Sequence, residues 1–219
     1  MRRIVTFNNV SADGYFAAKD GNLDWVVQDP ELDQFVMKEG RAVDTVLFGR
    51  VTYEQFESFW PGVAKDPNAP PELLLFAKPL EAMTKVVFSK TRDTVTWKNS
   101  RLVRDIVPRD IERMKREEGG DIIVFGSGSV VTALSEYGLV DEYVYTVNPV
   151  LLGEGRLLLK GLGAGADLEL LQAKPFESGK ILMRYARKGP LSRREHVPAE
   201  RISQRDHGSV KSEHEKQRA

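Results

Sequence analysis

Apolar and polar positions along this chain change period several times, and each change marks an element. Ile4, Val5, Phe7 and Val10 follow an extended pattern that ends in Ser11-Ala12-Asp13-Gly14, where Asp and Gly supply turn chemistry. A second turn falls at Lys19-Asp20-Gly21-Asn22. Over 30–38 the apolar residues Leu32, Phe35 and Val36 recur at helical spacing, with Asp29 in the N-cap position and Pro30 first in the helix. A short buried strand at 46–48 leads into a helix over 51–60 that places Tyr53, Phe56 and Phe59 near one face. Pro61, Pro67, Pro70, Pro71 and Pro79 punctuate the following connection, which has room for one short helix over 72–77. Further strands are predicted at 85–88, 94–97, 121–125, 141–147, 168–173 and 181–186, and further helices at 108–118 and 130–137.

Strands alternating with helices, then a run of strands, predict a three-layer α/β fold. Its central sheet is mixed and mostly parallel, with an antiparallel C-terminal edge and helices on both faces. A length of 219 residues with 41% apolar composition suits one large domain, placed at 1–187. From 188 to 219 the chain turns polar, with eight Lys or Arg against five Asp or Glu, and reads as a flexible tail.

Charge and residue content remove several kinds of function. The chain is formally neutral, and its body carries twenty-four basic against twenty-seven acidic residues, so nucleic acid is not an expected partner. No segment is apolar enough to span a bilayer, and Met1-Arg2-Arg3 runs straight into a strand pattern instead of a signal-peptide apolar region. With no Cys in the chain, the expected location is the cytoplasm. His196, His207 and His214 all lie in the tail, so a Ser-His-Asp triad, a Cys-His pair and an ordinary zinc site are excluded from the domain. Chemistry there falls to carboxylates, hydroxyls, Lys, Arg or a bound cofactor.

Two segments suggest which cofactor. Thr45-Val46-Leu47-Phe48-Gly49-Arg50-Val51-Thr52 and Asp121-Ile122-Ile123-Val124-Phe125-Gly126-Ser127-Gly128-Ser129 each run from a buried strand through glycine into a helix. Such a junction collects free backbone N–H groups and the positive end of a helix dipole at one spot, and glycine admits an anion close to the backbone. Two of them along one sheet edge can hold a dinucleotide.

The same residues resemble dihydrofolate reductase-like proteins. Phe48-Gly49-Arg50-Val51-Thr52-Tyr53-Glu54 is similar to their Gly-Arg-x-Thr-Tyr/Trp-Glu signature, and Val124-Phe125-Gly126-Ser127-Gly128-Ser129 to their second phosphate loop. Ser11-Ala12-Asp13-Gly14-Tyr15 and the stretch around Val147-Asn148-Pro149-Val150-Leu151-Leu152-Gly153-Glu154-Gly155 resemble the branch related to the reductase domain at the C-terminus of bifunctional riboflavin-biosynthesis proteins. The resemblance covers residues 2–187 in order. It implies NADPH as cofactor, with Gly49, Arg50 and Thr52, and Gly126, Ser127, Gly128 and Ser129, on its phosphates and riboses. Ser89, Lys90 and Thr91, with Arg92 beside them, stand at the family's 2′-phosphate position.

The resemblance further implies a reductase acting on a pteridine- or pyrimidine-like heterocycle, or on a carbonyl or imine. Hydride chemistry comes with the cofactor, and the protein supplies position and a proton. The first helix offers Asp29, Glu31 and Asp33 as acids, with Asp33 preferred. None is in register with Trp25 as in folate-reducing members, and no cationic cluster stands out for a ribosylamino-pyrimidine phosphate. Asp13 is the second catalytic candidate, in the loop expected beside the nicotinamide. Tyr15, Trp25 and Tyr53 are candidates for the substrate pocket, although Tyr53 and Phe56 also fit a buried helix stripe. Two alternatives to an active reductase stay open: an NADPH-binding module without efficient turnover, and a partner-binding protein whose glycine turns are only turns. A homodimer paired through the late strands is expected.

Overall fold

A computed structural model describes residues 1–39, 42–163 and 165–190. Eight strands form one sheet in the order β5-β4-β3-β6-β1-β7-β10-β9. Here β1 is Ile4–Ser11, β3 Val43–Gly49, β4 Thr84–Phe88, β5 Ser100–Val103, β6 Asp121–Phe125 and β7 Glu142–Asn148. All six run parallel, while β10, Ile181–Pro190, is antiparallel to β7 and to the edge strand β9, Ala166–Pro175. Parallel neighbours need crossover helices, which is what the alternating pattern encodes. A small second sheet pairs β2, Tyr15–Ala17, with β8, Arg156–Leu157.

The pleat sorts each strand onto two faces. Val5, Phe7, Val46, Phe48, Ile123 and Phe125 face helices α1, Pro30–Glu39, α2, Arg50–Lys65, and α3, Pro71–Ala82. Ile4, Leu47, Val86, Ile122 and Val124 face α4, Pro108–Arg116, and α5, Gly128–Glu136. The three-layer, mostly parallel architecture is the one predicted.

Register creates the opening at which a site can sit. β1 pairs with β6 only as far as Phe7 opposite Phe125, yet it continues beside β7 to Ser11 opposite Asn148. Beyond Phe7 and Phe125 the two central strands part, at the carboxyl edge where open α/β sheets bind ligands.

Several boundaries differ from expectation, each through tertiary contacts. α2 runs through Pro61, and α3 extends to Ala82 through Pro79, because the two helices pack an aromatic seam with Trp60 and Phe76 rings 4.6 Å apart. Residues 94–97 are not a strand. Trp97 N–H donates to the Tyr53 hydroxyl and to Glu57, both at 3.1 Å, and Thr96 N–H donates to Glu57, so these groups are unavailable to a ladder. The pairing strand starts at Ser100. β10 extends to Pro190, past the boundary drawn at 187, and the remainder of the expected tail lies outside the described residues.

Lys85 on β4 is fully buried, and its Nζ donates to the carbonyls of Glu81, Met83 and Lys98 at 3.0–3.1 Å, closing the end of α3. Burial lowers its pKa from 10.5 to about 8, against the pull of Glu81. Lys85→Met is expected to lose on the order of 3 kcal/mol by orphaning three carbonyls, measured by chemical denaturation. Between pH 8 and 10.5 the unfolded chain binds more protons at this group than the native one, so wild-type stability rises with pH relative to the variant.

Candidate functional site

The two glycine turns meet. A Cβ built on Gly49 would stand 1.9 Å from Ser127 Oγ, so glycine at 49 lets the β3–α2 and β6–α5 junctions pack side by side. Gly126 and Ser127 both take left-handed backbone, φ +53° and +58°, which is how the chain reverses from strand into helix within two residues. Ser127 accepts that conformation in direct contact with Gly49. Neither Gly49 nor Ser127, the N-caps of α2 and α5, makes a side-chain capping bond, so both helix starts are left to backbone, solvent or ligand.

Both starts open on a cavity of about 1720 Å³ whose wall includes Arg50, Thr52, Gly126, Ser127, Gly128 and Ser129. Gly49 lies behind the wall, as the spacer beneath Ser127. The turn after β4 completes this half with Ser89, Lys90 and Thr91. Ser89 Oγ accepts the N–H groups of Thr91 and Arg92 at 3.3 and 3.0 Å and fixes the turn. Lys90 pairs with Asp105 at 3.0 Å and Arg50 with Glu54 at 2.9 Å, both at exposed positions where such pairs exchange readily. Arg92 is drawn away instead: it binds Glu54 and Glu57 and lies 5.0 Å over the Tyr53 ring.

The other half of the cavity is a chamber between α1 and the α2–α3 pair. Phe35, Val36, Phe56, Trp60, Leu73 and Phe76 wall it, over a floor of Val5, Phe7, Ile123 and Phe125. At its carboxyl-edge end stand Asp29, Asp33 and Lys180. Asp29 caps α1 through Leu32 N–H at 2.9 Å and accepts the Ser178 hydroxyl. Burial pushes its pKa up, but Ser178, Leu32 N–H and Lys180 together hold it below the usual range. Asp33, at the rim of the chamber, goes the other way: desolvation raises its carboxyl pKa, only partly offset by Lys180. Their surroundings thus push two neighbouring carboxyls in opposite directions, Asp29 down and Asp33 up.

Three candidates lie elsewhere than expected. Asp13 is exposed and accepts Ser11 Oγ at 2.6 Å and the N–H groups of Leu152 and Gly153 at 3.0 and 2.7 Å, which ties the loop after β1 to the loop after β7. The Ser11 bond first, and those backbone bonds after it, lower its pKa, so it is a poor proton donor. Tyr53 is fully buried and its hydroxyl donates a hydrogen bond to Glu57 at 2.7 Å; it is core, not pocket. Trp25 turns its indole N–H to the Asn22 carbonyl at 3.3 Å, and Leu23, Val26 and Val27 form the wall there. Tyr15 does line the cavity.

Lys180 was not among the expected residues. It is 4% exposed and donates to the Val27 carbonyl at 2.9 Å and to Asn9 Oδ1 at 3.4 Å. Burial lowers its pKa, opposed by Asp33 and Asp29. Its local signal, Ser178-Gly179-Lys180, is that of a hairpin turn; a lysine abutting the apolar run Ile181-Leu182-Met183 was the one available hint. Among the described residues no group of His, Cys, Asp and Glu could hold a metal ion, and no helix is long and apolar enough to cross a membrane.

Comparison with known proteins agrees with this geometry. YyaP, an uncharacterized protein of Bacillus subtilis (strain 168), is 29% identical over 186 residues, covering 84% of this chain and 94% of YyaP. A putative riboflavin biosynthesis protein from Shewanella sp. PV-4 superposes with a TM-score of 0.63 at 23% identity, covering 85% of this chain and 99% of that one. Dihydrofolate reductase from Enterococcus faecalis, solved with NADP(H) and RAB-propyl, gives 0.57 at 17% identity, covering 85% and 96%. These likenesses establish a dihydrofolate reductase-like fold. The RibD C-terminal domain family matches residues 2–182, and with its motifs in order around one cleft the chain belongs to that family.

Proposed function

We propose that the protein is an NADPH-dependent reductase that delivers hydride to an electrophilic carbon of a small heterocyclic, carbonyl or imine substrate. The observation that carries this reading is the contact of Gly49 with Ser127, which sets two helix starts without side-chain caps together on one cavity wall. Helix N-termini so placed suit a diphosphate. Arg50, Thr52 and residues 126–129 would hold the phosphates and riboses, and Ser89, Lys90 and Thr91 the 2′-phosphate. When bound, NADPH supplies a hydride, two electrons with one proton.

The chain's own residues supply the rest. Asp33 would supply the proton from the chamber rim, where desolvation disfavours its ionised form and raises its pKa. That proton goes to the substrate heteroatom, so one C=X bond becomes H–C–X–H with the charge balanced. Asp29 holds the start of α1, and with it Asp33, through the Leu32 and Ser178 bonds. The apolar walls exclude bulk water from the reacting carbon.

Melting curves with either dinucleotide test the cofactor assignment, since ligand that binds only the native state raises Tm. NADPH is expected to raise Tm well above NADH at equal concentration, and Lys90→Ala to shrink that difference. A larger shift with NADH overturns the role of the Ser89, Lys90 and Thr91 turn. A shift by NADPH without oxidation of NADPH across carbonyl and heterocyclic substrates marks a binding module instead.

A further inference from the structure

We infer that the chamber between α1 and the α2–α3 pair selects an uncharged substrate: a planar ring whose carbonyl oxygen accepts a hydrogen bond from Lys180 and whose apolar substituent lies against Phe56, Trp60 and Phe76, with no phosphate on that substituent. This deepens the reductase reading and rests on it for the identity of the reacting partner, but not for the chemistry of the chamber itself.

At the amino-edge end of the chamber, Arg3 binds Asp121 at 2.6 Å and Glu142 at 3.0 Å, and Arg184 binds Glu142 at 2.7 Å. The side chains of Asp121 and Glu142 are only 4% and 3% exposed. An arginine recruited to a substrate phosphate would have to loosen its pairing with one or both of these buried carboxylates, which is unfavourable. Two cations against two anions leave no net positive charge at this end. At the other end the carboxyls of Asp29 and Asp33 stand against Lys180 and offset its charge. Between the two ends the wall is mainly aromatic and aliphatic, and its charged member on α3, Glu72, is an anion. A phosphate placed here would lose its hydration and find Arg3, Arg184 and Lys180 already engaged by carboxylates.

Lys180 supplies a directional contact. Its ammonium has three N–H donors, of which Val27 O and Asn9 Oδ1 take two, leaving one for a substrate oxygen on the wall it shares with Asp33. Its backbone sits in a tight turn, where Phe176 N–H donates to the Lys180 carbonyl at 2.9 Å, so the position of the donor is fixed before substrate arrives.

Calorimetric titration of the full chain with two ring ketones, one bearing a phenyl tail and its twin bearing a phosphate ester on the same tail, tests the inference. Each titration is run with and without saturating NADP+. The phenyl compound is expected to bind at least tenfold more tightly than its phosphate twin. Lys180→Met should weaken the phenyl compound about tenfold while circular dichroism stays native. Leu73→Arg, which adds a cation to a half-buried wall position, should reverse the preference, and it keeps the inference testable if Lys180→Met fails to fold. Equal affinities, a preference for the phosphate twin, or no binding of the phenyl compound overturns it. Absence of NADP+ binding with the tail preference intact would instead remove the reductase reading and leave the chamber's chemistry standing.

Discussion

Asp33→Asn is expected to lower turnover by about 10²–10⁴-fold while NADPH affinity stays within about twofold, because the variant loses a positioned acid and touches no group assigned to the cofactor. The wild-type pH profile carries a second signature. An acid that must be protonated to act gives a kcat/KM that falls as pH rises through its raised pKa, and the asparagine variant should show no such limb. Stability moves in the opposite sense. Because the folded pKa of Asp33 lies above its ordinary value of 3.8, the native state binds more protons than the unfolded chain between the two values. Wild-type stability therefore declines as pH rises through that window, and removing the carboxylate should leave Tm at neutral pH unchanged or higher. Stopped-flow turnover, a dinucleotide titration and a melting curve on one preparation check all three. A variant that keeps full turnover would shift the proton source to water or to Lys180.

The second large effect is at the junction of the two glycine turns. Gly49→Ala puts a methyl group where Ser127 Oγ now lies, with Ser127 Cβ at 3.2 Å and Val130 Cγ2 at 3.4 Å from the new atom. The serine must rotate or the β6–α5 turn must move, at a cost of about 1–3 kcal/mol as in other overpacked sites. Displacement of the turn should also weaken NADPH by roughly tenfold, about 1.4 kcal/mol. Ser127→Ala removes the clashing oxygen, so the double variant should recover most of the lost stability, a coupling of about 0.5–3 kcal/mol expected only for side chains in contact. Additive single effects would show that the two junctions do not depend on each other, and the proposed dinucleotide cradle would lose its main support. Melting curves of the four proteins and NADPH titrations measure both effects.

Much of this molecule was legible from local pattern. The helix start at Asp29-Pro30, the strand-glycine-helix units and the mostly parallel sheet follow from spacing, turn residues and buried runs that neighbours in sequence settle among themselves. Legibility stopped where a polar side chain had to choose between a capping role and a chemical one. Asp13, Asp29 and Asp33 all sit beside turns or helix starts, and their types cannot distinguish a loop clamp, a cap and an acid. The distinction comes from partners far along the chain: Leu152 and Gly153 for Asp13, Ser178 for Asp29, and desolvation beside Lys180 for Asp33. Tyr53 shows the same limit, since a motif position and a core position look alike until Glu57 and Trp97 close around its hydroxyl.

The chain alone determined that residues 1–195 hold no cysteine or histidine, that strands and helices alternate before a final run of strands, and that two glycine turns would follow buried strands. Tertiary structure decided that those turns touch, that α2 and α3 continue through their prolines, and that Lys180 meets Asn9 across 171 residues of sequence. The physical reason is range. Helix and turn preferences act over a few residues, whereas desolvation, ion pairing and close approach are set by whichever segments the sheet order brings together.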